Sequence, residues 1–101
     1  VHVGEVQVAG GLSTDVVREA VQARLAELDA CFTTNGYAGK MVLKLRIAAD
    51  GTVNDVRVLS TTPQDGSNCR WCVVSWAKTW VFKVTSDGKE ATVTITIERG
   101  R

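Results

Sequence analysis

The chain lacks most of what would announce an activity. Its 101 residues include one histidine and one proline, and the acidic and basic residues nearly cancel at a formal charge of +1. A single histidine, His2, has no second polar group nearby to position a nucleophile or substrate. General-base chemistry therefore finds no foothold, and His2 reads as a surface strand residue. With charges of both signs interspersed, there is no basic face to hold a nucleic-acid backbone or an anionic membrane. No apolar run approaches the roughly 18 residues of a membrane-spanning helix. No charged stretch leading to a small-residue cleavage site opens the chain, which reads as a mature fragment or excised domain with its targeting information elsewhere. Internal repeats and low-complexity tracts are absent. At 45% hydrophobic residues, what remains is one globular unit over residues 1–101, of a size that buries roughly two-thirds of its unfolded surface.

What is present concentrates in Ser67 to Phe82, which holds two of the three cysteines and all three tryptophans. As a helix running to about Trp80, it places Cys69, Cys72, Val73, Trp76 and Trp80 on one apolar stripe. That predicts burial of Trp76 and Trp80 against a sheet face containing Leu43, Leu45, Val93 and Ile95. Trp71 and Val74 fall off the stripe. A lone exposed apolar residue is ordinary, and a tryptophan at a partner contact is the sharper alternative.

The remaining elements follow from period and punctuation. Val3, Val6 and Val8 alternate with polar residues in Val1–Ala9, a short strand in which Gly4 marks a bulge. Ser13 is an N-cap with Leu12 and Val17 as its hydrophobic staple. Val17, Val21, Leu25, Leu28 and Phe32, with Cys31 beside them, form one face of a single helix over Thr14–Thr33, ended by Asn35-Gly36. Lys40–Ala48 alternates with Met41, Leu43, Leu45 and Ile47 inward. Asp50-Gly51 turns it into Val53–Ser60, giving an antiparallel hairpin. A loop with the lone Pro63 spans Ser60–Gly66. Glu90–Glu98 then places Ala91, Val93, Ile95 and Ile97 inward and Thr92, Thr94 and Thr96 outward. The order β-α-β-β-α-β with one-sided strands implies an α+β fold, two helices on one face of a small antiparallel sheet. Lys40, Lys44, Arg46 and Arg57 on the outer face lack the aromatics with which four-stranded sheets stack RNA bases.

The cysteines leave several readings open. One disulfide with a spare thiol, a metal site, and three reduced core thiols all fit the count. Cys69-x-x-Cys72 near a helix N-terminus is the arrangement that lowers a thiol pKa in thioredoxin-like enzymes, although those follow a strand and this one follows a polar loop. Zinc would draw on Cys31, Cys69, Cys72 and His2, without the second half of a structural zinc motif. Asp50-Gly51 lacks the oxygen spacing of a calcium loop.

Leu12-Ser13, Cys31-Phe32, the run Gly39 to Val58 with Ile47-Ala48-Ala49-Asp50-Gly51-Thr52-Val53 at its turn, and Cys72 with Trp80-Val81-Phe82 together resemble the C-terminal domain of TonB-type energy transducers. The likeness is closer to the AgmX/PglI-type variant of gliding-motility proteins, and it covers about Gly11 to Ile97 with residues 1–10 as an N-terminal strand extension. Lys83 stands where the family usually has proline, and Cys69 is extra to its pattern. The resemblance implies a non-catalytic periplasmic domain of an inner-membrane-anchored protein. It further implies coupling to a proton-driven motor and to an outer-membrane protein or lipoprotein. No cofactor, small-molecule substrate or nucleic acid comes with it. It implies a Cys31–Cys72 disulfide, with Cys69, one turn earlier on the same face, as a rival to Cys72. It places partner binding, by strand addition, on the last strand, with Ala91, Thr92, Val93, Thr94, Ile95, Thr96 and Ile97 as the exposed edge, unless Val1–Ala9 covers it. The alternative from the enzyme class is a thiol-disulfide protein using Cys69-x-x-Cys72.

Overall fold

A computed structural model describes residues 1–62 and 67–99, with the side chains of residues 67 and 68 excepted. The elements are β1 (His2–Ala9), α1 (Thr14–Gln22), α2 (Leu25–Thr34), β2 (Gly39–Ile47), β3 (Val53–Thr62), α3 (Ser67–Ala77) and β4 (Ala91–Arg99). The class is α+β, as expected, but the described residues form three helices. Ser13 caps α1, its Oγ accepting from the Val16 amide at 3.1 Å. Where one helix was expected to run on, Arg24 leaves the helical region at φ −112° and ψ 10°. Its amide closes a short turn on the Val21 carbonyl at 2.9 Å. Val17, Val21, Leu28, Cys31 and Phe32 are all buried. An apolar stripe of this spacing is the same for a straight helix and for one broken at a single turn, so periodicity alone does not reveal the break. Gly36, at φ +60°, ends α2.

The four strands form one antiparallel sheet in the order β1-β4-β2-β3. Met41, Leu43, Leu45 and Ile47 of β2 and Ala91, Val93, Ile95 and Ile97 of β4 are buried on one face. This follows from their alternation on two central strands. β3 runs two residues further than expected, to Thr62, and carries two bulges. Val42 pairs with Ser60 and Leu43 with Val58, so Leu59 is extra; Arg46 pairs with Asp55 and Ile47 with Val53, so Asn54 is extra. Beyond Leu59 the facing inverts, which exposes Leu59 and buries Thr61. The loop expected through Pro63 and the capping role of Ser67 lie outside the described residues.

Trp80 is buried at 3% exposure, whereas Trp76 is 43% exposed, so the expected burial of both corrects to one. The buried line of α3 runs through Cys69, Val73 and Ala77. Cys72 and Trp76, four residues apart, share the flank of that line, where Cys72 is bonded to Cys31 of α2. The sheet-facing row is thus taken by smaller residues, and the indole of Trp76 projects beside it. α3 ends at Ala77 in a tight turn, with the Trp80 amide donating to the Ala77 carbonyl at 3.2 Å.

After α3 the chain docks on the β2–β3 turn. The Phe82 amide donates to the Gly51 carbonyl at 2.8 Å and the Thr85 amide to the Ala49 carbonyl at 3.1 Å, while Thr52 and Val81 form an isolated bridge. Asp50 Oδ1 accepts from both the Thr52 amide and hydroxyl, at 3.1 and 2.7 Å. These bonds hold its carboxyl below the usual carboxylate range, the hydroxyl contributing most.

Candidate partner-binding surfaces and the cysteine cluster

The structure bonds Cys31 of α2 to Cys72 of α3, across 41 residues of sequence. Closing a loop of that length stabilises by about 4 kcal/mol in the chain-entropy argument. The bridge ties the helical layer at the seam where α2 meets α3. Cys69 remains a free thiol and is buried. Burial pushes its pKa from 9.0 up to about 11, against a smaller opposing effect of Arg99. A redox Cys-x-x-Cys needs two sulfurs that exchange with each other and an accessible thiolate. Here Cys72 is bonded to Cys31 of α2 and Cys69 is a buried thiol with a raised pKa, an arrangement that differs from that one. Among the described residues, no three of His, Cys, Asp and Glu gather where they could hold a metal ion, and no helix is long and apolar enough to cross a membrane.

The seven residues Ala91 to Ile97 do not form an open edge. β4 lies between β1 and β2, with Gln7 and Lys44 both opposite Thr94, and Val3 and Met41 both opposite Ile97. The physical reason lies in β1, whose Val3 and Val6 present an apolar face that is buried on β4. One extra residue between Val3 and Val6 breaks the register at Gly4-Glu5, where a bulge was expected. β1 is further held by His2 Nε2, 3.2 Å from Glu98 Oε2, and by Arg18 Nη1, which donates to the Val3 carbonyl at 3.4 Å.

The open edges are therefore β1 and β3, and β3 is interrupted by its two bulges, a common device against strand addition. Near the β2–β3 turn, Glu90 ties the sheet's outer face together. It accepts from Asn54 Nδ2 and Arg46 Nε at 3.0 Å each, and these partners, Asn54 first, hold its carboxyl below the usual range.

Between β3 and α3 runs a groove of about 450 Å³ lined by Val56, Arg57, Val58, Arg70, Trp71, Val74 and Lys78. Trp71 stands in it 71% exposed. Sequence reasoning found Trp71 and Val74 off the core stripe, yet missed that β3 supplies a facing wall. The signal available was the i, i+4, i+8 series Arg70, Val74, Lys78, which puts two cations and an apolar side chain on one helix line.

No protein-family model matches the chain, and no curated protein matches it. Among solved structures it is similar to the NMR solution structure of the TonB C-terminal domain of Helicobacter pylori. That likeness covers 90% of this chain and 85% of the other at 18% identity, with a TM-score of 0.47.

Proposed function

We propose that this chain is a non-catalytic interaction domain of the TonB-like, AgmX/PglI-type class. In this reading it is periplasmic, belongs to an inner-membrane-anchored protein, and links a proton-driven motor to an outer-membrane protein or lipoprotein. One observation carries the reading: residues that share the family resemblance but lie far apart in sequence meet in the fold. Cys31 is bonded to Cys72, and the Asp50-Gly51 turn is hydrogen-bonded to Phe82. Motifs that meet in this way have a structural reason to occur together. A small sheet with helices on one face also suits recognition along a strand.

The proposed contact is strand addition at Ala91–Ile97, and since β1 occupies that position, the partner strand exchanges with His2–Ala9. A proline at Thr94 would not test this, because Thr94 pairs on both sides and the sheet itself would suffer. A reversible lock does: Gln7→Cys with Thr94→Cys, at positions paired across β1 and β4. Capture of solubilised outer-membrane proteins is compared for the oxidised lock and the parent. Loss of capture on locking supports exchange. Undiminished capture removes strand exchange at β4, and absence of capture by the parent removes the envelope-interaction reading as a whole.

A further inference from the structure

We infer that the groove between α3 and β3 is a docking surface for an acidic segment of a partner protein carrying apolar anchors. It is lined by Val56, Val58, Trp71 and Val74, and the charged residues α3 brings to it are Arg70 and Lys78, with no carboxylate among the lining residues; Arg57 borders it from β3 but shares the sheet's outer face with Lys44 and Arg46. Arg57 is held at 3.0 Å by Asp55 of its own strand. Among the described residues, Arg70 and Lys78 form no ion pair. They stand one turn either side of Val74, so an occupant placing an apolar side chain on Val74 meets positive charge at both ends. That charge pattern selects acidic flanks. Tryptophan and arginine side by side are the composition of interface centres that contribute most to binding. The concave shape favours a chain segment over a bilayer surface. The bulges at Asn54 and Leu59 bracket the β3 wall and interrupt its ladder, so recognition here runs through side chains. The surface is thus separate from the strand exchange proposed at β4.

The test is an NMR titration of the isotopically labelled domain with a short synthetic peptide alternating Glu with Leu and Phe. Two control peptides replace Glu by Lys, or the apolar residues by Ser. Phosphatidylglycerol vesicles are titrated in parallel. Saturable shifts are expected at Arg57, Arg70, the Trp71 indole, Val74 and Lys78 with the first peptide only, weakening with added salt. Affinity should fall about tenfold in Arg70→Glu/Lys78→Glu and again in Trp71→Ser. All three positions are solvent-facing, so amide spectra outside the groove should match the parent. The proposal is overturned by equal response to the lysine peptide, by shifts centred on β1 and β4, or by no saturable shift at all. It is equally overturned if vesicles alone engage these residues, or if a second copy of the chain fills the groove in sedimentation. Because groove shifts and locked-strand capture read different residues, either proposal can fail while the other stands.

Discussion

Replacing Gly51 with alanine should be among the most damaging single-methyl additions available in this chain. Gly51 has φ +94°, a region that L side chains rarely adopt, and a left-handed backbone costs a non-glycine residue about 1–2 kcal/mol. The new methyl would also press on the Phe82 carbonyl, whose carbon would lie only 2.9 Å away. The neighbour is backbone, so it cannot swing aside. Either the contact is endured, at about 1–3 kcal/mol for overpacking, or the segment retreats. Retreat loses the Phe82–Gly51 hydrogen bond at about 0.5–1.5 kcal/mol, with part of the burial of Phe82. The total is about 2–5 kcal/mol, which in a domain near this size lowers the thermal midpoint by at least about 8 °C. Gly36→Ala is the control. Gly36 also has positive φ, at +60°, but nothing lies within 4 Å of its added methyl, so it should cost only the conformational part of about 1–2 kcal/mol. Guanidinium unfolding followed by tryptophan fluorescence, with unchanged slopes, would give both numbers. If Gly51→Ala costs no more than Gly36→Ala, the close approach of the turn to Phe82 would be refuted.

Trp80→Ala should cost about 3–5 kcal/mol as a large aromatic deletion. Trp80→Phe should cost much less, because the buried Trp80 Nε1 has no hydrogen-bond partner among the described residues and its removal relieves that penalty; equal losses in chemical denaturation would contradict this. Cys69 holds its proton more tightly folded than unfolded, since burial raises the thiol from 9.0 to about 11. Its contribution is full below 9.0 and is lost as pH rises through the folded value. The parent should therefore lose more stability across that window than Cys69→Ala, and identical pH slopes in urea unfolding would count against the buried thiol.

Local chemistry was the legible part of the sequence. Ser13, Asn35-Gly36 and Asp50-Gly51 each act through groups a few residues away, so their caps and turns could be read without tertiary knowledge. The inward rows of β2 and β4 were equally plain, because both strands are central and regular. The misreadings fall where a neighbour distant in sequence decides. Leu59 and Asn54 are bulges only relative to β2. Trp76 shares the flank of α3 with Cys72, which is bonded to α2, while Cys69, Val73 and Ala77 take the buried line. The break at Arg24 leaves the apolar stripe unchanged. Covering of Ala91–Ile97 by β1 depends on which strand wins a place next to β4, and one-sided alternation in both segments permits the pairing without requiring it. The groove was hidden for the same reason, since its two walls come from separate elements and only the tertiary fold sets Trp71 beside Val56 and Val58.

The two outer strands differ in what it would take to replace them. β3 is joined to β2 by a turn that is itself bonded to Phe82, and its bulges prevent a continuous ladder. β1 buries Val3 and Val6 and packs a partly buried Val8 against the core. Burying two valines contributes about 3–6 kcal/mol as an upper estimate, and each ladder bond adds only about 1 kcal/mol net. A partner strand making the same ladder replaces those bonds one for one, so backbone pairing alone favours neither occupant. The balance then falls on the side chains that take the places of Val3, Val6 and Val8 opposite Ile97, Ile95 and Val93. An exchanging partner must therefore carry apolar residues at the core-facing positions of its strand, and polar substitution there should abolish exchange while substitution at the outward positions leaves it nearly unchanged.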